Sequence, residues 1–192
     1  MKALLLAAVL ELAPVWAMAQ DFDAGVAAYE RGDYAAALRE FRPLAEAGDA
    51  WAQFALGVIY DNGEGVAQND AEAVRWYRKA AEQGVAVAQV NLGVMYDTGQ
   101  GAPQDDAEAV RWYRMAAEQD VAEAQFNLGA MYALGQGVVQ DDATAHMWLN
   151  IAAANGDQNA GEVRDTLADR MNRAEIAEAQ RRARVCVESG YR

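Results

Sequence analysis

Apolar residues recur along this chain with a helical period, and the helical pattern is itself repeated. Over 50–61, Ala52, Leu56, Ile59 and Tyr60 fall at i, i+4, i+7 and i+8, one face of an α-helix, here helix A. A loop containing Gly63 and Gly65 ends that pattern, since glycine permits the positive φ that closes a helix. A second pattern, helix B, opens at Asn69 and places Ala73, Trp76, Tyr77, Ala80 and Ala81 on one side before stopping at Gly84. Asn69 is suited to cap its first turn, with Glu72 reaching back in a capping box. Asp105 with Glu108 repeats that arrangement, while Asp141 keeps the cap and Thr144 replaces the acidic partner.

The segments 49–84, 85–120 and 121–156 align without a gap and agree at most positions. Leu56, Leu92 and Leu128 stay in step, as do Gly57, Gly93 and Gly129, Tyr60, Tyr96 and Tyr132, and Trp76, Trp112 and Trp148. A glycine inside a helix costs about 1 kcal/mol relative to alanine, so one kept in every copy needs a reason. Close helix approach supplies it: the bare backbone admits a neighbouring helix, and the tryptophans fill the space between layers. One such hairpin cannot bury both helix faces, so the copies must stack. The predicted fold class is therefore all-α, a solenoid of helical hairpins.

The ends depart from the pattern. Residues 20–48 form a shorter N-terminal hairpin, turning at Arg31-Gly32-Asp33, and 157–192 read as capping helices over 157–171 and 173–188. The terminators Gly48, Gly84 and Gly156 have Asp120 as their counterpart in the second copy, a costlier residue in a left-handed conformation. Residues 1–19 carry Lys2, an apolar run from Ala3 to Leu10 and Ala17-Met18-Ala19 before Gln20, which predicts a cleaved secretory signal and a periplasmic or secreted protein. The alternative is an uncleaved first helix. The run is too short to span a bilayer, so no membrane insertion is expected after cleavage.

Composition narrows the function classes. The chain has 192 residues, a formal net charge of −13 and 53% hydrophobic residues, which excludes a disordered polymer. With so acidic a balance and no basic stretch, nucleic acid is not an expected partner. The single cysteine, Cys186, cannot form an internal disulfide, so packing must supply the stability. A half-buried structural thiol is the expected role, and intermolecular pairing the alternative.

Residues 52–84 (AQFALGVIYDNGEGVAQNDAEAVRWYRKAAEQG) and 88–119 (AQVNLGVMYDTGQGAPQDDAEAVRWYRMAAEQ) resemble Sel-1-like repeats almost position for position. Residues 124–156 resemble the divergent last repeat of such an array. The resemblance covers about 22–188 and implies a right-handed α/α superhelix related to tetratricopeptide arrays, with an adaptor or scaffold role. Some exported relatives are linked to binding or cleaving cell-wall-like and β-lactam compounds. Those carry a cysteine pair in each repeat, which this sequence lacks.

Candidate chemistry is sparse. His146 is the only histidine and takes the helix B position held by Val74 and Val110, so no histidine-based nucleophile or metal cluster is expected beyond a packing role. Asp105-Asp106 and Asp141-Asp142 sit where helix starts favour acids. The loops NGEG, TGQG and LGQG lack the lysine and preceding strand of a phosphate cradle. Arg31-Gly32-Asp33 reads as a tight turn and cap rather than an adhesion motif. No enzyme activity, cofactor or metal is expected.

A binding surface should lie where the copies differ. By analogy with tetratricopeptide arrays, positions 51, 54, 58 and 61 of helix A line the concave groove, as do their counterparts. They are Trp51, Phe54, Val58 and Asp61; Val87, Val90, Val94 and Asp97; and Glu123, Phe126, Ala130 and Ala133, with Asn91 and Asn127 adjacent. The candidate partner-binding residues are Trp51, Phe54, Asp61, Val90, Asn91, Asp97, Phe126 and Asn127, an apolar strip rimmed by acid that suits a peptide with apolar anchors and a basic residue. An inter-repeat core role for Phe54, Val90 and Phe126 is the competing reading. The expectation is a non-enzymatic envelope adaptor, most simply a monomer. A regulator restraining a membrane sensor is a second reading, and a cell-wall or β-lactam hydrolase a third.

Overall fold

Most predicted helix starts and stops have a physical counterpart in the computed structural model, which describes residues 15–191, with side chains described from Phe22 onward; the helix expected over 157–171 is shorter, Ala160–Ala168. Most of the expected signal segment 1–19 thus lies outside the described residues, and its last part, from Val15, runs into α1. The elements are α1 (Val15–Glu30), α2 (Tyr34–Glu46), α3 (Ala50–Asn62), α4 (Asp70–Glu82), α5 (Ala86–Thr98), α6 (Asp106–Ala117), α7 (Ala122–Leu134), α8 (Asp142–Ala154), α9 (Ala160–Ala168) and α10 (Arg173–Glu188). There is no strand among the described residues. Consecutive helices pack in antiparallel hairpins that stack into an α/α superhelix.

The caps account for the boundaries. Asp33 accepts the Ala36 amide at 3.1 Å, which makes the Arg31-Gly32-Asp33 turn an N-cap for α2. Asn69 accepts the amide of Glu72 at 3.1 Å, and Asp105 and Asp141 hold the matching positions of α6 and α8. The expected return leg of the box differs. Glu72 and Glu108 turn outward to Arg75 and Arg111, each at 2.9 Å, because an (i, i+3) guanidinium competes for the carboxylate. A complete capping box forms instead at Asn172 and Glu175, opening α10.

The glycine inside each helix A does mark close approach, but its partner is not the tryptophan. A Cβ on Gly57 would lie 2.4 Å from the Tyr77 ring, and one on Gly93 2.6 Å from Tyr113. In the third copy Gly129 faces Leu149 at 2.9 Å. The tryptophan one residue earlier points to the other side of helix B: Trp76 joins the core of α2 and α3, and Trp112 joins the core of the next junction. One glycine–tyrosine contact therefore closes each hairpin, and one tryptophan seals each junction between hairpins.

Two ladders of polar contacts run through those junctions. Gln53, Gln89 and Gln125 are buried, and each donates to a carbonyl of the preceding helix (Ala45, Ala81 and Ala117) at 3.0 Å. Their oxygens accept from Gln83, Gln119 and Asn155 at 2.7, 2.8 and 3.0 Å, so no buried amide oxygen is left unmatched. Along the other edge, Arg42, Arg78 and Arg114 donate to the hydroxyls of Tyr60, Tyr96 and Tyr132.

The C-terminal helices close the array. Leu167 and Ala160 of α9 form a core with Ala145, Leu149 and Ala152 of α8. Helix α10 folds back against α8, where Tyr191 stacks on Trp148 with the ring centroids 5.9 Å apart. Asp120 has the predicted left-handed φ, 62°, and its carboxylate accepts hydrogen bonds from the Tyr191 hydroxyl and from Asn155. Those bonds explain a non-glycine residue in a conformation that costs about 1–2 kcal/mol.

Candidate functional site

The helix A face is assembled from side chains that the hairpin core leaves over. In α3, Ala52, Leu56 and Ile59 are buried, Phe54 and Val58 are half-buried against the main core, and Trp51 is turned out to solvent. Trp51 is 54% exposed and meets Phe54 edge-on, with ring centroids 6.1 Å apart. Phe54 also contacts Tyr77 of α4, at 5.9 Å, which fixes its ring from behind. These residues, with Ala55, form one wall of an apolar cup of about 210 Å³. The other wall comes from α1 and α2, through Phe22, Val26, Tyr29 and Phe41. Sequence reasoning missed that wall, because α1 lies outside the repeated copies and has no counterpart to compare with.

Asp61 completes the first strip. It accepts a hydrogen bond from the Tyr77 hydroxyl at 3.2 Å, and the same hydroxyl interacts with the Asn91 side chain of the next helix A. Burial holds the Asp61 carboxyl above the usual carboxylate range, against the lowering effect of the Tyr77 bond. Asp97 is raised in the same way, by burial first and by Asp106 second, with Tyr113 opposing. Both tyrosines are pushed up by burial and by those carboxylates. Tyr29, at the cup, is raised to about 12 by burial and by its hydrogen bond with Glu64.

The other predicted positions divide. Val90 is only 3% exposed and belongs to the main core, so it is withdrawn from the binding face; a β-branched side chain there packs between repeats. Asn91 and Asn127 are half-buried. Phe126 is half-buried against the α8–α9 core together with Ala133, while Glu123 of the same strip is exposed. Among the three strips, the first alone presents an exposed aromatic, Trp51, beside an apolar hollow, while Val87 is the exposed apolar residue of the second.

Charge is sorted between the two helix layers. Helices α1, α3, α5 and α7 contain Asp21, Asp23, Glu30, Asp61, Asp97 and Glu123 and no Lys or Arg. The basic residues of the repeats lie on α2, α4 and α6, where Arg75 and Lys79 rest over the Trp76 ring and Arg111 over Trp112.

Groups with catalytic potential are dispersed. His146 is buried in α8, its Nδ1 without a hydrogen-bond partner, and its pKa is lowered by burial and by Arg164. Cys186 is half-buried against the main core, and burial with Glu118 raises its thiol, which disfavours the thiolate. Among the described residues no group of three or more acidic, histidine or cysteine side chains could hold a metal ion, and no helix is long and apolar enough to cross a membrane.

A family model of the Sel1 repeat matches residues 52–85, 86–121 and 122–157. A crystal structure of a protective antigen present in uropathogenic Escherichia coli strains, displaying an SLR fold, is 36% identical with a TM-score of 0.76. That match covers 90% of this chain and 39% of the antigen, so the chain spans well under half of that relative. A Sel1 repeat protein from Oxalobacter formigenes is 31% identical with a TM-score of 0.75, over 88% of this chain and 77% of its own. No curated protein matches the chain.

Proposed function

The chain belongs to the Sel1 repeat family, and from that premise we propose that it is a non-enzymatic adaptor of the cell envelope that binds a protein or peptide through its helix A face. Proteins built from Sel1 repeats are generally protein-interaction scaffolds and typically non-catalytic. The observation that carries the finer reading is Trp51, a large aromatic left 54% exposed beside an apolar cup on the face where the copies differ. Isolated exposed apolar residues are ordinary; one that forms the lip of an apolar hollow is the arrangement of an interaction site. The envelope assignment rests on residues 1–19, which have the composition of an export signal.

Affinity capture of the processed chain from its own envelope fraction tests the reading. Trp51→Ala and Phe126→Ala are expected to reduce recovery of the captured protein, the first more than the second, with the circular dichroism melt of each variant recorded alongside. Recovery unchanged by both, in variants that melt as the parent does, would remove the helix A face from consideration. An N-terminus at Gln20 in the intact mass of periplasmic material supports the export assignment; retention of Met1 in a cytosolic fraction overturns it.

A further inference from the structure

We propose that the cup between α1 and α3 receives a single large apolar side chain from a basic peptide segment, whose Lys or Arg residues lie over Asp61 and Asp97. This deepens the interaction reading above and rests on it. Three observations point to that occupant.

The first is size. About 210 Å³ is below the roughly 300–1,000 Å³ of small-molecule sites, and suits one aromatic or branched aliphatic side chain rather than a cofactor. The second is preorganisation. Trp51 is braced edge-on by Phe54, Phe54 by Tyr77, and Phe22 by Phe41 at 5.5 Å, so the walls stand ready and little ordering is needed on binding.

The third is charge complementarity. Asp61 follows Val58 by one turn on the same side of α3, and Asp97 holds the matching position on α5. No Lys or Arg on α1, α3, α5 or α7 competes for them. Both carboxylates are partly desolvated and satisfied chiefly by a neutral tyrosine hydroxyl, so an incoming ammonium or guanidinium offers a stronger partner. The net charge of −13 would also steer a basic segment toward the molecule while repelling an acidic one.

Selection of a random twelve-residue phage-displayed library on the immobilised chain tests the proposal, followed by titration of the most enriched peptide made synthetically with a fluorophore. The expected pool carries a Trp, Phe, Leu or Ile within a few residues of Lys or Arg. Its affinity should fall about tenfold on Ala55→Leu, which fills the cup from the α3 wall, and severalfold on Asp61→Asn with Asp97→Asn or in high salt. Trp51→Ala, at an exposed position, serves if Ala55→Leu does not fold. An uncharged or acidic pool, no enrichment at all, or binding indifferent to Ala55→Leu and Trp51→Ala overturns the proposal. If peptides fail in this way while capture of a folded envelope protein still depends on Trp51, the adaptor reading stands without it. If that capture is also indifferent to every helix A substitution, the adaptor reading fails as well.

Discussion

The first and third copies share a backbone and differ in what lies against their helix A face. In the first, Gly57 lies under Tyr77, whose hydroxyl donates to Asp61 at the surface. In the third, Leu149 replaces the tyrosine and Ala133 replaces the aspartate, both together. Leu149 and Ala133 then pack with the α8–α9 core, so the chain itself partly covers the strip around Phe126 and Ala133. The pair changes as a unit because a buried hydroxyl without an acceptor, or a carboxylate without a donor, carries a penalty that neither residue has when both are apolar. The acid on this face thus has two roles, as the tyrosine's acceptor and as surface charge.

The sharpest way to break the comparison is to place a methyl on the helix A glycine of each copy. Gly57→Ala should lose about 1–3 kcal/mol in urea unfolding, because the tyrosine ring cannot yield by the distance required. Gly129→Ala should lose less, since its tightest contact is with the Leu149 side chain at 2.9 Å, which can shift more readily than a ring, with the Ala145 carbonyl next at 3.2 Å. Equal losses would show that the two contacts are not different in kind. Next in size is the graft of the third copy's pair onto the first. Tyr77→Phe or Asp61→Ala alone should cost about 1–3 kcal/mol, and a double-mutant cycle should return a favourable coupling of about 1 kcal/mol.

pH separates the copies in opposite directions. His146 in the third copy has a lowered folded pKa, by burial and by Arg164, partly countered by Asp165. Its contribution is intact above about pH 6.5, the ordinary histidine value, and is lost as pH falls through the folded pKa. Asp61 and Asp97 are raised, so their contribution is present below the ordinary aspartate value and lost as pH rises through the folded pKa. Urea midpoints of His146→Gln should therefore flatten between pH 7 and 5, and a slope that persists there would assign it elsewhere. The smallest expected effect is Asp120→Gly, where relief of the left-handed backbone offsets loss of the Tyr191 and Asn155 bonds to within about 1 kcal/mol. Tyr191→Phe, which gains no such relief, should be the more destabilising of the two.

Much of this was legible in the residues because the copies act as internal controls. The core stripe of Leu56, Ile59 and Tyr60, the caps at Asn69, Asp105 and Asp141, and the left-handed Asp120 all follow from local chemistry. The partner of Gly57 did not. Trp76 and Tyr77 are adjacent and recur equally well, and only the rotation of helix B about its axis decides which ring faces the glycine. Gln53, Gln89 and Gln125 recur visibly, yet their pairing with Gln83, Gln119 and Asn155 joins different helices at a separation the pattern does not announce. The cup was half legible: Trp51 and Phe54 stood out by differing from their counterparts, while Phe22, Val26 and Tyr29 had no counterparts to differ from. The reach of α9 over Ala133 was hidden for the same reason.

The glutamine ladder has an evolutionary consequence. Because Gln53, Gln89 and Gln125 make the same bond to the preceding helix, an in-frame duplication of residues 85–120 would reproduce a complete junction and leave no amide stranded. Gain or loss of one whole unit can therefore lengthen or shorten the molecule without breaking a junction. The N-terminal hollow and the C-terminal Tyr191 clasp would stay in place at either end, so such a change alters the span of the array and neither of its ends.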